Sequence, residues 1–374
     1  MPIVGRLRHW TRYVLKWAWI YLLYFSGGLR WARRKIVARS GVIVLTLHRV
    51  LPRPEFENTP SPRGMVIDVE TFEQLLEFLK RYCDILDLSG DGPDWHFRGK
   101  RPRVALTFDD GWKDTFEVAV PLLEKYKIPA TVFVCPNLAG SPSPFWAEQV
   151  SRAWRAAAGD LESSKRFSDR CRKFLPERDF SPAQNTNNAV EGLTSSIKDL
   201  PADRRKSLIA QLGRFVAGSP LGLERFPLES TMTWDEVKTI QSKGTLIGSH
   251  TQNHEILTRL PSDEAHREIA DSKAVLESTL RRACHAFAYP NGTWSPEIRD
   301  LVKQSGYKIA FINTPGIWTR ETDPWLIPRH NIWQGSLSNL SNAFSPIMFQ
   351  YSVFWRAYGS AKKHQNDTNP RFRR

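Results

Sequence analysis

The chain has 374 residues, 41% of them apolar and 25% charged, which is the balance of a globular protein with room for one large core or two modest ones. Its formal charge of +14 favours an anionic partner, such as a membrane leaflet, a nucleic acid or a phosphorylated lipid carrier, without choosing among them. The four cysteines, Cys83, Cys135, Cys171 and Cys284, are scattered with no CxxC pair, which argues against a thiolate zinc knot or a disulfide framework.

Residues 1–40 are aromatic and basic. The uncharged run from Trp17 to Leu29 lies between Arg6, Arg8, Arg12 and Lys16 on one side and Arg30, Arg33, Arg34 and Lys35 on the other. The run is too short to span a bilayer as a helix, and no small-residue cleavage site follows it. It reads as an amphipathic helix lying on an anionic surface, which would place the protein at the cytoplasmic face of the inner (plasma) membrane. A helix packed on the protein's own core and a short tilted span are the alternatives. No recognition motif supports nucleic acid as the partner.

Gly41 to Leu47 reads as a buried strand ending at His48, a position where a lone histidine is usually structural. Residues 69–82 space Val69, Phe72, Leu75, Leu76 and Leu79 as an amphipathic helix, with Thr71 as its candidate cap. Ile85 to Leu88 reads as a short strand. Val104 to Phe108 is an apolar strand that ends in Asp109-Asp110-Gly111. Adjacent carboxylates repel unless a cation or proton separates them, so a strand end carrying such a pair is either a polar turn or a site. A helix over 112–127 and a strand from Ala130 to Val134 complete a βαβ unit of a parallel sheet or barrel.

Residues 141–230 break the alternation. Helices over Trp146 to Ala158 and Leu200 to Val216 flank a flexible middle around Gln184 to Asn188, so the segment reads as a mainly helical insertion. Arg152, Trp154, Arg155, Arg204, Arg205 and Lys206 could form a basic, aromatic face. The insertion is either a substrate lid or a solvated excursion. Thr233 and Glu236 then make a capping box for the next helix.

Thr245 to Ser249 is a short strand followed at once by His250-Thr251-Gln252-Asn253-His254. Two histidines four apart can face one way on a helical turn and converge on one ion. Their strand end and that of the acidic pair share one rim in a β/α fold, so Asp110, His250 and His254 form a candidate two-histidine, one-carboxylate site. Zinc suits that donor set best, with iron, cobalt and manganese as alternatives. Thr251 could fix a neighbouring imidazole. A long helix over 262–281, a strand breaking into Tyr289-Pro290-Asn291-Gly292, a helix over 296–305 and a strand over 307–311 continue the pattern. Leu326 to His330 brings another histidine toward the rim, and the basic tail from about residue 360 reads as disordered.

Three motifs, Thr107-Phe108-Asp109-Asp110-Gly111, His250-Thr251-Gln252-Asn253-His254 and Phe287-Ala288-Tyr289-Pro290-Asn291-Gly292, together resemble the polysaccharide deacetylase family with the NodB-type homology domain, over about residues 41–335 and interrupted by the insertion. The resemblance implies an α/β fold, a distorted (β/α) barrel of about seven units, and metal-dependent removal of an N-acyl group, N-acetyl first among them, from an amino sugar of a cell-envelope polysaccharide or its lipid-pyrophosphate-linked precursor. It implies Asp109 as base, Asp110, His250 and His254 as ligands of one divalent ion, and His330 as acid. Where many relatives carry an arginine that orients the base, this chain has Ala288, and Arg329 is a candidate for the missing charge. Thr251, Tyr289, Pro290, Asn291 and Gly292 are supporting or substrate-binding candidates, with a backbone N–H near Tyr289 stabilising the oxyanion. A deformylase of a lipid-linked amino sugar and a dead barrel serving as a carbohydrate-binding scaffold are the competing readings.

Overall fold

The computed structural model describes residues 3–89, 92–142, 145–178, 180–182, 187–216 and 227–360. The basic tail beyond residue 360 and most of the run from Gln184 to Asn188 lie outside them. Seven parallel strands close into a barrel: β1 (Val42–Leu47), β5 (Arg103–Phe108), β6 (Ala130–Val134), β7 (Leu246–Ser249), β8 (Ala286–Ala288), β9 (Ile309–Ile312) and β10 (Ile327–Asn331), with β10 returning to β1. The short β4 (Asp84–Ile85) pairs with the start of β5, and β2 (Arg49–Leu51) pairs with β3 (Val66–Asp68) outside the barrel.

The strands are nearly continuous apolar runs because both faces are covered. Val42, Val44, Ala105, Phe133, Ala288 and Phe311 fill the barrel, while Ile43, Leu45, Leu47, Leu106, Phe108 and Val132 point outward under the helices. After α1 (Ile3–Phe25), α2 (Gly28–Ala38) and the short α3 (Arg53–Asn58), the helical layer begins with α4 (Val69–Tyr82). Burying Phe72, Leu75, Leu76 and Leu79 of α4 contributes about 1.5–3 kcal/mol per side chain. Its cap is Asp68, whose Oδ1 accepts from the Thr71 backbone N–H at 2.7 Å; Thr71 is inside the first turn and does not cap it. The segment after Gly111 turns widely over Thr115–Ala119 before α5 (Val120–Tyr126) begins.

The insertion contributes α6 (Trp146–Ala157), α7 (Leu161–Phe174), α8 (Asn187–Lys198) and α9 (Ala202–Gly213) around a core of its own that includes Val150, Trp154, Phe167, Leu193, Ile197 and Leu208. The basic, aromatic face expected there does not form. Trp154 is buried in that core. Arg152 pairs with Glu229, Arg155 donates to the carbonyls of Asn58 and Thr59, and Arg205 and Lys206 pair with Glu255. Arg155 and Arg205 dock the insertion on the rest of the chain, Arg152 ties two ends of the insertion together, and Lys206 stays exposed.

α10 (Trp234–Ser242) starts with the Thr233–Glu236 capping box, and α11 (Ser262–Leu280) and α12 (Pro296–Gln304) complete the layer. At the N-terminus, α1 packs Trp17 and Ile20 against Met348, while Leu15, Trp19, Leu22 and Phe25 are exposed, Phe25 to 79%. Among the described residues no helix is long and apolar enough to cross a membrane.

Candidate functional site

In-register pairing of β1 with β5 aligns Leu47 with Phe108, so the residues that follow, His48 and Asp109, emerge side by side at one rim. Asp110 and Gly111 have φ of 76° and 72°, a reversal that turns the second carboxylate across the mouth of the barrel. A side chain on Gly111 would also press into Val134. The Asp110 Oδ2 atom accepts from Trp112 Nε1 at 3.0 Å. Trp112 is itself held under Arg49, whose guanidinium lies 4.1 Å from the ring and binds Asp114 and Glu229. The chain of contacts thus runs from the far end of the insertion, through Arg49 and Trp112, to Asp110.

The histidines converge without a helical turn. Residues 250–254 form a bend in which Thr251 and His254 have φ of 66° and 59°. Left-handed backbone at a non-glycine residue costs about 1–2 kcal/mol, and Asp110, Thr251, His254 and Asn291 all adopt it at this rim. His250 Nδ1 is 2.7 Å from the Ala288 carbonyl, to which it donates, leaving Nε2 bare. The Nε2 atoms of His250 and His254 lie 3.5 and 3.3 Å from Asp110 Oδ1, and the three donor atoms fall within 4.8 Å of one another. Asp110 Oδ1 is buried with no hydrogen-bond partner among the described residues. An orphaned carboxylate oxygen facing two imidazole nitrogens fits one divalent cation of the borderline kind. Burial would push the Asp110 carboxyl up, but the two imidazoles outweigh it and hold it well below its ordinary value.

Asp109 is fixed from the other side. Arg329 donates from Nη1 to Oδ1 and from Nη2 to Oδ2, both at 2.7 Å, in a fork-to-fork pair that is fully buried. Arg329 also donates to Asn313 Oδ1 at 3.0 Å and lies over the rings of Phe133 and Phe311. Burial raises the Asp109 pKa, and the guanidinium, helped by His250 and His48, more than offsets it, so the carboxylate stays ionised. Arg329 therefore puts a guanidinium on the aspartate, the charge missing at Ala288.

His330 is not brought to the cleft. On β10 the side chains alternate, so Arg329 points inward at the height of Val44 and His330 points outward at the height of Leu45. Its Nε2 sits 2.9 Å from the Gly316 carbonyl, and burial depresses its pKa to about 4. His48 occupies the place expected for His330: it lines the cleft, with Nε2 3.9 Å from Asp109 Oδ2 and Nδ1 without a partner among the described residues. Burial lowers its pKa, while Asp110 and Asp109 pull the other way. The sequence favours a structural role for His48, a lone histidine at a strand end; the structure sets it at the cleft beside Asp109.

The supporting residues divide. The Tyr289 backbone N–H donates to the Phe311 carbonyl at 3.1 Å and is not free for an oxyanion, and its hydroxyl donates to Trp325. Pro290 begins a tight turn through Gly292, where any side chain would collide with Asn313. That turn presents Asn291 to the cleft with a buried Nδ2 that has no partner among the described residues. Thr251 is buried and its hydroxyl makes no bond to either imidazole. The cleft has a volume of about 410 Å³. Its outer wall comes from the insertion, where Phe145 packs edge-on against His254 at 5.1 Å and tilted against Trp112 at 4.7 Å. The insertion is part of the cleft, not a solvated excursion.

A closed seven-stranded parallel barrel with two histidines and an aspartate at its C-terminal rim defines a β/α barrel protein with a candidate metal centre. Residues 98–162 and 209–310 match the family model described as "Polysaccharide deacetylase", and the barrel is similar to that family. Among curated proteins, the chain is 23% identical over 159 residues to "Putative polysaccharide deacetylase YxkH" of Bacillus subtilis, covering 42% of this chain and 54% of that one. It is 26% identical over 134 residues to chitin deacetylase 1 of Saccharomyces cerevisiae, covering 36% and 40%. The chain thus matches about half the length of these relatives or less. Among solved structures, IcaB from Ammonifex degensii shares the fold with a TM-score of 0.50 at 18% identity, over 85% of this chain and 97% of that one.

Proposed function

We propose that the protein is a metal-dependent hydrolase that removes an N-acyl group, N-acetyl first among them, from an amino sugar. The observation that carries this reading is the bare Asp110 Oδ1 atom facing His250 and His254, set beside an aspartate that Arg329 keeps ionised. Asp110, His250 and His254 would hold one divalent ion, zinc by the softness of the set. When bound, such an ion supplies a Lewis acid that polarises the acyl carbonyl and acidifies water.

The chain's own residues supply the rest. Asp109 takes the proton of the attacking water as the C–O bond forms. Its grip on Arg329 fixes which lone pair faces the cleft. Asn291 Nδ2 is the free donor for the oxygen on which charge develops. The proton on Asp109 has His48 Nε2 within 3.9 Å, and His48 passes it to the leaving nitrogen as the C–N bond breaks. The products are a carboxylic acid and a free amine. His48 therefore replaces His330 as the acid in this mechanism.

The second part of the reading is location. The exposed stripe of Leu15, Trp19, Leu22 and Phe25, flanked by Lys16, Arg30, Arg33 and Arg34, supports peripheral attachment to an anionic membrane surface at the cytoplasmic face. Such a position suits a lipid-linked saccharide. The experiment for the activity is amine release from N-acetylated saccharides, free and lipid-linked, by protein stripped of metal and then given zinc. Zinc-dependent release supports the hydrolase, and no release with one ion bound per chain sends the search to another acyl group, the formyl group first.

A further inference from the structure

The turn that carries Asp110 is gripped by the stem of the insertion, where the chain leaves the barrel at residues 138–141 and returns at 228–232. Thr231 forms an antiparallel bridge with Trp112. On either side of that bridge, the Met232 N–H donates to the Gly111 carbonyl and the Lys113 N–H donates to the Ser230 carbonyl, both at 2.9 Å. The two arms of the stem are tied to each other as well. The Gly140 N–H donates to the Met232 carbonyl at 2.8 Å, and the Thr231 N–H to the Ser141 carbonyl at 3.1 Å. Asp110 has positive φ, a conformation that persists at a non-glycine residue only where its surroundings over-determine it. This short ladder supplies that hold.

Side chains repeat the grip. Arg49 is fully buried; its Nη1 donates to Glu229 Oε1 at 2.7 Å, its Nη2 to the Leu228 carbonyl at 2.6 Å and its Nε to Asp114 Oδ2 at 2.9 Å. The same guanidinium covers the ring of Trp112, which is also fully buried. An indole has one donor, and with the ring fixed that donor goes to Asp110 Oδ2. The carboxylate torsion of an aspartate is broad and roughly two-fold, so without the indole Asp110 would offer either oxygen over a range of angles. With it, Oδ1 alone faces His250 and His254.

We propose that Trp112 is the positioning residue of the Asp110 ligand, and that the Arg49–Glu229 contact couples the insertion stem to the affinity of the centre for its ion. This rests on the metal centre of the proposed function and not on its acyl chemistry. Coupling is reciprocal, so an ion in the centre tightens the stem by the same free energy that the stem lends to the ion.

The test is zinc binding by the metal-stripped full chain, read by calorimetry, together with hydrogen exchange at the Lys113 and Met232 amides. Trp112→Phe keeps a ring under Arg49 and deletes the N–H, and should weaken zinc binding about 10–100-fold. Glu229→Gln keeps the shape of the stem and removes its charge, and should weaken zinc binding about fivefold. Leu208→Ala loosens the insertion's own core, and should lower Tm while leaving zinc affinity within about twofold of wild type. Zinc should slow exchange at both amides in the wild type, and slow it less in Glu229→Gln.

Zinc affinity within about twofold of wild type in both Trp112→Phe and Glu229→Gln overturns the positioning role. Leu208→Ala weakening zinc as much as Trp112→Phe overturns it too, because the effect then follows stability and not the indole. Amide exchange unchanged by zinc overturns the coupling. Affinities in the expected order, with no amine release from any N-acetylated saccharide, support the inference and remove the deacylase reading. Failure of the wild type to bind zinc removes both.

Discussion

His48 and His330 stand on neighbouring parallel strands of the same barrel, β1 and β10, three residues apart in register, yet only one serves the cleft. Leu45 pairs with His330, and His48 follows three residues after Leu45, one step beyond the last residue of β1. That step carries His48 off the ladder and over the rim, next to Asp109. His330 is still inside β10, on the outward face, and Gly316 holds its ring there. Strand alternation has a period of two, so a change of one position sends a side chain to the opposite face. The inward position went to Arg329, and that is what anchors Asp109. Chemistry at a barrel rim is decided by parity and by where the strand ends, more than by residue type.

The widest separation between the two histidines is expected in turnover. His48→Ala should lower kcat by about 10²–10⁴-fold, the usual worth of a general acid or base, with bound metal retained. His330→Asn should leave kcat close to wild type. The reverse pattern in the two kcat values would return the acid role to His330 and break the comparison.

Arg329 sharpens the same contrast from the inward side. Arg329→Met should leave the buried Asp109 charge unpaired and destabilise the fold by about 3–5 kcal/mol, read from urea unfolding. An exposed pair such as Arg53–Glu57 gives the reference, at about 0–1 kcal/mol.

The outward histidine should show itself in acid. Its folded pKa of about 4 lies below the ordinary 6.5, so between those values the unfolded chain binds a proton that the folded chain refuses. Stability should therefore fall as pH drops from 6.5 to 4, by about 3 kcal/mol from this residue alone. His330→Asn should remove that part of the slope in urea midpoints measured across the window, and an unchanged slope would contradict the burial of a neutral ring.

The smallest effect concerns the membrane reading. Replacing Leu15 and Phe25 by serine should reduce binding to vesicles containing anionic lipid, and Arg30→Gln and Arg33→Gln should each cost about 1 kcal/mol at low salt. Equal co-sedimentation of wild type and variants, or wild-type recovery wholly in the supernatant, would remove the surface attachment.

Much of the barrel was legible because its strands are buried on both faces and bounded by clear stops, as from Ala130 to Val134 before Cys135 and Pro136. The capping box at Thr233 and Glu236 was equally plain. The cluster of Asp110, His250 and His254 could be assembled because all three follow strand ends, although the route differs: positive φ at Thr251 and His254 replaces the helical turn. Less visible were features that depend on partners distant in the chain. The free N–H near Tyr289 was lost to Phe311, and the basic insertion residues went to Glu229, Glu255 and backbone carbonyls.

The most direct test of the account is a zinc titration of metal-stripped protein, followed by calorimetry and by amine release from the N-acetylglucosamine trimer. Wild type should take up one ion per chain, gain activity in proportion, and lose both in Asp110→Ala and His250→Ala. Zinc uptake unchanged by those substitutions, or amine release that needs no metal, would contradict the assignment of the centre.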